Sequence, residues 1–177
     1  GGWKGGIGDI ALGYKRVLAH GLARGNILSV SAEVVLPTGS AGKGLGGGET
    51  VFEPFVTFAQ LLPGDAFIQT QAGLEIPTGD HDNEGFLRAA IGRSFTQGDF
   101  GRTWSPMLEV LTSRALTSGA VTHLDLVPQM QVTLNARQHV RINAGVRLPV
   151  NHRRGRSPTV LVYLLWDWFD GGFFDGW

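Results

Sequence analysis

Arg141-Ile142-Asn143-Ala144-Gly145-Val146-Arg147-Leu148 alternates without error: every second residue is apolar, and each one between is Arg, Asn or Gly. A period of two places the two sets on opposite faces of a β-strand. The pattern returns from Leu124 to Leu134, where Leu124, Leu126, Pro128, Met130, Val132 and Leu134 are set against His123, Asp125, Gln129, Gln131 and Thr133. Repeated through most of the chain, it predicts an all-β fold, a single antiparallel barrel domain over residues 1–177. Which face is wet then decides the class. A soluble barrel turns its apolar residues inward. Here the polar set carries many charges, and the apolar set is wide, aliphatic and edged by aromatics, as on the outside of a transmembrane barrel.

Composition agrees with a surface partly bathed in lipid. Charged residues make up 17% of the chain, below the roughly 25% of a soluble domain. The 27 glycines are about twice the usual share, which fits many turns and close strand crossings. Net charge is zero, so bulk electrostatics favour neither nucleic acid nor an anionic surface. The absence of cysteine suits a chain that crosses an oxidising periplasm. No apolar run reaches the roughly 18 residues of a membrane-spanning helix.

Nine strands are predicted, over 9–18, 27–37, 51–62, 66–77, 86–96, 104–115, 121–134, 138–149 and 158–169. Pro63-Gly64-Asp65 and Asn135-Ala136-Arg137 read as tight turns, whereas 38–49, 78–84 and 151–157 are long, Gly-rich or charged. Outer-membrane barrels have short periplasmic turns and longer external loops. The 38–49 loop, with six glycines in twelve residues, is expected to be external and mobile, because it offers little to pack. An echo supports the strand count: Ala32 to Gly39 returns as Ala72 to Gly79, and more weakly as Ala144 to Pro149. Each copy ends on a proline, which cannot donate to the ladder and so marks where pairing stops. If the last strand runs down to the periplasm, the three long loops lie outside and the first strand runs downward. Bacterial barrels have even strand numbers. The expectation is therefore a barrel of ten or twelve strands whose N-terminal strand or strands are missing here, unless a strand hides within Gly1 to Gly8.

Gly6-Ile7-Gly8-Asp9-Ile10-Ala11-Leu12-Gly13-Tyr14-Lys15, followed by Leu36-Pro37-Thr38-Gly39 and by Leu124-Asp125-Leu126-Val127-Pro128-Gln129, resembles the outer-membrane transporters of the MetA-pathway-of-phenol-degradation family. The likeness covers most of the chain. It implies an outer-membrane barrel and a role in uptake of small, often hydrophobic or aromatic compounds. In that family the Gly-x-Gly-Asp strand lies some way in from the N-terminus, in keeping with missing leading strands. It implies no catalytic residues.

Sorting the strands by face puts Lys15, Glu33, Glu53, Glu75, Arg88, Glu109, Asp125, Arg141 and Arg147 on the polar, lumen-lining side. Acids and bases nearly balance there. They are expected to meet as ion pairs, since an unpaired charge in a confined space is costly. Two readings stay open: a lining that sets selectivity, or a plug of salt bridges that fills the bore, as side chains do in barrels near eight strands. On the outward face stand Leu28, Val30, Ala32, Val34 and Leu36, then Leu74 and Ile76, and later Val160, Val162 and Leu164. Trp104, Trp166, Trp168 and Phe169 fall at strand ends and read as girdle residues at the headgroup level.

Several lookalikes carry no such weight. Gly42-Lys43-Gly44 lacks the spacing of a phosphate cradle. Asp80-His81-Asp82-Asn83-Glu84-Gly85 begins like a calcium loop, but its twelfth position is Ile91 where a bidentate acid is required. The five histidines show no paired spacing, so neither zinc nor a Ser-His hydrolase is supported. The sequence thus predicts a non-enzymatic outer-membrane conduit without cofactor or metal, with the lipid bilayer and a small solute as partners and no nucleic acid. A homo-oligomer, or association with another envelope complex, stays open. The rivals are a plugged structural barrel that anchors or sheathes another complex, an outer-membrane enzyme, and a soluble ligand-binding barrel.

Overall fold

A computed structural model of the chain describes residues 5–97, 102–134 and 140–166. Its strands are β1 (Ile10–Gly21), β2 (Asn26–Leu36), β3 (Val51–Leu62), β4 (Ala66–Pro77), β5 (Glu84–Arg93), β6 (Phe95–Gln97), β7 (Arg102–Ala115), β8 (His123–Thr133), β9 (Val140–Pro149) and β10 (Thr159–Trp166). The only helix among the described residues is two single 3-10 turns, Leu22–Arg24 and Ala41–Lys43. The fold is an all-β antiparallel sheet in which each strand lies beside its neighbour in sequence, with the short β6 pairing only β7. No strand appears in 5–9.

The alternation placed nearly every strand. The expected strand 86–96 is divided into β5 and β6 at Ser94, whose N–H donates to the Asp65 carbonyl (2.9 Å) instead of to the ladder. The turn holding Asp65 has the geometry that tight hairpins need: Gly64 and Asp65 both have positive φ, 72° and 60°, matching the right-handed twist of the strands they join. Pro77 and Pro149 each close a strand, and Pro37 follows one directly. The other tight turn expected from sequence, at 135–137, lies outside the described residues.

Three prolines, however, stand inside strands: Pro54, Pro106 and Pro128. Each is met by a glycine on the adjoining strand. A Cβ on Gly73 would lie 2.5 Å from the Pro54 carbonyl oxygen and from Phe55 Cβ. On Gly92 it would lie 2.9 Å from the Pro106 oxygen, and on Gly145 3.0 Å from the Pro128 oxygen. In each case the residue after the proline, Phe55, Met107 or Gln129, lies over the facing glycine. A missing N–H and a missing side chain thus coincide, and the strands close up where no Cβ intervenes.

The chain forms two compact units. One comprises Gly1–Phe58, Thr70–Leu87 and Ser113–Thr122. Its β1–β2 hairpin runs in register from Ile10 opposite Leu36 to Val17 opposite Ser29, then shifts at a bulge and resumes with Ala19 opposite Leu28. Its buried residues, among those described, are Ser29, Ser31 and Phe86, with the Phe86 ring packed on Phe55. The other unit comprises Ala59–Gln69, Arg88–Thr112 and His123–Trp177. There Gln131, Asn143 and Tyr163 stand side by side across β8, β9 and β10. Among the described residues this unit buries Thr103, Ser105, Asp125, Thr133 and Asn143 with only Val127 and Val140, while Ile142, Val146, Leu148, Val160, Val162 and Leu164 are exposed. In both units the normal distribution is reversed: polar residues in, aliphatic residues out.

Gly73→Ala is expected to cost about 1–3 kcal/mol, because the new methyl meets backbone and cannot be relieved by a rotamer change. Gly42→Ala, where no atom lies within 4 Å of the added Cβ, is expected to be neutral. Denaturant unfolding of the two variants, followed by tryptophan fluorescence, checks the difference.

Candidate functional site

The best-defined charged group gathers where β8 begins and β9 ends. Asp125 is only 2% exposed, and both its oxygens are taken: Arg147 Nε donates to Oδ2 and Arg156 Nη2 to Oδ1. Register explains the first contact, since Asp125 pairs with Pro149 and a same-face neighbour on β9 is two residues back. Arg156 comes from the β9–β10 loop. It also reaches the Asn151 carbonyl (3.3 Å) and His123 Nδ1 (3.4 Å), while Asn151 Oδ1 accepts from the Leu124 N–H (2.8 Å). The His123 and His152 rings meet edge to face, 5.9 Å apart. One buried carboxylate therefore organises the end of this hairpin and its loop.

Further along the same polar face, Glu109 on β7 accepts from Gln129 Nε2 on β8 (3.0 Å). The charge of Arg88 acts on that carboxylate, and the carboxylate in turn acts on Tyr163. Asn143 is buried beside this group, and its amide makes no hydrogen bond among the described residues. At the far end of the strands, the Thr103 N–H donates to Thr133 Oγ1 (2.6 Å) and ties β7 to β8. Trp104 stands opposite Phe95, Trp166 opposite Val140, and the Arg93 guanidinium lies 4.9 Å over the Phe95 ring. Trp168 and Phe169, the other girdle candidates, lie outside the described residues.

In the first unit, Asp9 holds the long glycine-rich loop. Its carboxylate accepts from the N–H groups of Gly39 (2.9 Å) and Gly47 (2.7 Å). Thr38 Oγ1 accepts from Ile10 N (3.0 Å) and donates to the Gly8 carbonyl (3.2 Å). A Cβ on Gly46 would collide with Asp9. The expectation that this loop has little to pack against is thus corrected: its glycines let backbone amides close around an acid. Glu49, at the end of the loop, pairs with His81 of the 78–83 connection.

Of the residues singled out from sequence, Asp125 and Arg147 are brought together, and Glu109 is held by Gln129 with the charge of Arg88 acting on it. Glu53, Glu75 and Arg141 are engaged too. Glu33 stands opposite Gly13, and Lys15 opposite Ser31. Sequence reasoning missed Arg156, Gln129 as the partner of Glu109, and Asp9. Only Asp9 had a visible signal, an acid set directly before a strand and near a run of glycines. Chemically the groups are ion pairs, amides and hydroxyls that bind and orient. No family model matches the chain, and no match is found among curated proteins or solved structures.

Asp125→Ala is expected to destabilise the protein by about 3 kcal/mol, since it removes the buried carboxylate that two guanidiniums share. Arg147→Ala, which removes the 45% exposed partner and leaves Arg156 in place, is expected to cost about 1 kcal/mol. Denaturant midpoints give the order. Separately, Asp9→Ala is expected to speed hydrogen exchange at the Gly39 and Gly47 amides and to open the loop to protease.

Proposed function

We propose that this chain forms most of a bacterial outer-membrane β-barrel of ten or twelve strands, which serves as a passive conduit for small molecules. The observation that carries the reading is the reversed burial. Buried Asp125, Asn143, Thr103 and Thr133 share strands with exposed Ile142, Val146, Met130 and Trp104. In water that arrangement exposes apolar area at about 25 cal/mol per Å². In a bilayer the same surface meets hydrocarbon and the cost disappears. Aromatic residues at the strand ends and the alternation of short and long connections support the same setting.

Strand parity supports the count. Nine strands lie in consecutive antiparallel order, so β1 and β10 run in the same direction, and an antiparallel seam needs an odd number of further strands. The resemblance to the MetA-pathway transporters supports small hydrophobic or aromatic compounds as cargo. A second reading, a plugged barrel that anchors or sheathes another envelope complex, is favoured by one observation. The clamp on Asp125 and the Glu109–Gln129 bond are fixed contacts of the kind that fill a bore.

Partition into separated outer membranes and dependence on detergent test the membrane setting. Arg in place of Leu74 or Val146 is expected to cost about 2–4 kcal/mol if those positions lie near the bilayer midplane. Tolerance there, with loss of folding for Arg at Gln71 or Asn143, would mean that the faces are reversed and the barrel is soluble. Planar-bilayer conductance divides conduit from plug. A conduit conducts, and Glu109→Gln or Arg88→Gln changes its ion selectivity; a plug stays silent while the same changes loosen its fold.

A further inference from the structure

The acids and bases that balance over the whole chain do not balance locally. From residue 126 to 166 there are six arginines and no Asp or Glu. The loop between β9 and β10, residues 150–158, carries three of them, with His152 and no acid. Arg156 is spent on Asp125, together with Arg147, so one carboxylate faces two guanidiniums. Arg153 and Arg154 remain exposed, and among the described residues neither is paired with an acid. The loop that presents them is built: Arg153 Nε donates to the Val150 carbonyl (3.2 Å), and the Arg156 N–H to the Arg153 carbonyl (3.0 Å). His152 and Gly155 take the left-handed backbone, with φ of 44° and 78°.

Directly after this loop comes a bare apolar surface. Val160, Val162 and Leu164 on β10 are 73%, 64% and 58% exposed, against 38% and 36% for Ile142 and Val146 on β9. Together with Trp166 they form one face of β10, because alternate residues share a side. From Val160 to Trp166 that face runs about 20 Å at roughly 3.3 Å per residue, more than the roughly 15 Å of one leaflet. A cationic loop that opens onto an apolar strip of this length has the chemistry of an anionic amphiphile.

Resting on the outer-membrane reading above, we infer that the β9–β10 loop and the adjoining face of β10 bind a phosphate-bearing lipid. Arg153 and Arg154 hold the phosphate, and Val160, Val162 and Leu164 bed an acyl chain. Guanidinium forks match phosphate oxygens in bidentate geometry. The clamp on Asp125 sets the register between headgroup and chain, since it fixes the loop to the end of the strands.

The test uses the whole chain in a nonionic maltoside detergent, with diphosphoryl lipid A as the probe. Wild-type protein is expected to bind it saturably, and the R153A/R154A double variant to need about tenfold more lipid for half-saturation. Arg102→Ala, a change at an exposed arginine at the start of β7, is expected to leave binding unchanged. Equal binding by R153A/R154A, or equal binding of lipid A stripped of its phosphates, overturns the inference. Full competition by millimolar inorganic phosphate also overturns it, since it would mean a free-anion site with no lipid component. Loss of selectivity in a protein that still requires detergent and partitions with outer membranes sinks this inference alone. A chain that stays soluble and monomeric without detergent sinks the outer-membrane reading as well.

Discussion

A sheet with valine and leucine on its open face and aspartate, asparagine and threonine on its covered one depends on a constraint that most domains never meet. In the bilayer proposed above, burial of apolar area, the usual driving force, would contribute little to such a fold. Backbone ladders and polar contacts on the covered face must carry the stability. Several of the covered groups are tied in this way, while the Asn143 amide and Ser31 Oγ are buried without a hydrogen-bond partner among the described residues. Thr133 takes the Thr103 amide, Glu109 takes Gln129, and both oxygens of Asp125 are occupied. Each bond is worth only about 1 kcal/mol net, but a polar group left without its partner costs more than that. Deleting one member of such a pair therefore costs the desolvation of the other as well as the bond.

Glycine is the second requirement of this design, and its uses differ by place. Gly73, Gly92 and Gly145 stand inside strands opposite Pro54, Pro106 and Pro128, where a side chain would meet backbone. Gly39 and Gly47 lend their amides to Asp9. Gly64 supplies the left-handed turn between β3 and β4. Part of a composition that reads as loose and flexible thus serves close approach between strands.

How much of this was legible in the sequence depended on the range of the interaction. Alternation is local, so strands such as 51–62 and 66–77 could be bounded to the residue, and the polar face of β8 and β9 could be named from period alone. The break at Ser94 was not legible, because its cause is a hydrogen bond to Asp65 in another turn. The contact of Arg147 with Asp125 was not legible either, since pairing needs the register of β8 on β9. Arg156 was invisible as a ligand of Asp125: a loop residue has no period, and nothing in 151–157 fixes where its side chain lands. The hold of Asp9 on the 38–49 loop was hidden for the opposite reason. Glycine offers no side chain to reason from, and its amides are what bind.

The two outermost strands are unlike each other, and the difference bears on completion of the sheet. In β1 the charges Lys15 and Arg16 and the basic His20 break up the apolar residues, and charge on an edge discourages pairing with another chain. β10 has no such protection. Thr159-Val160-Leu161-Val162-Tyr163-Leu164-Leu165-Trp166 contains no charge, no proline and no glycine, and both its faces are exposed. Segments of that composition on an open edge are aggregation sites. Lipid can cover the side that carries Val160, Val162 and Leu164, but it cannot satisfy the outer row of N–H and C=O groups, which hydrocarbon leaves without partners. Only another strand can do that. In the outer-membrane setting proposed above, a free β10 edge would be incompatible with stable residence, and closure of the sheet by an added strand would remove both liabilities at once.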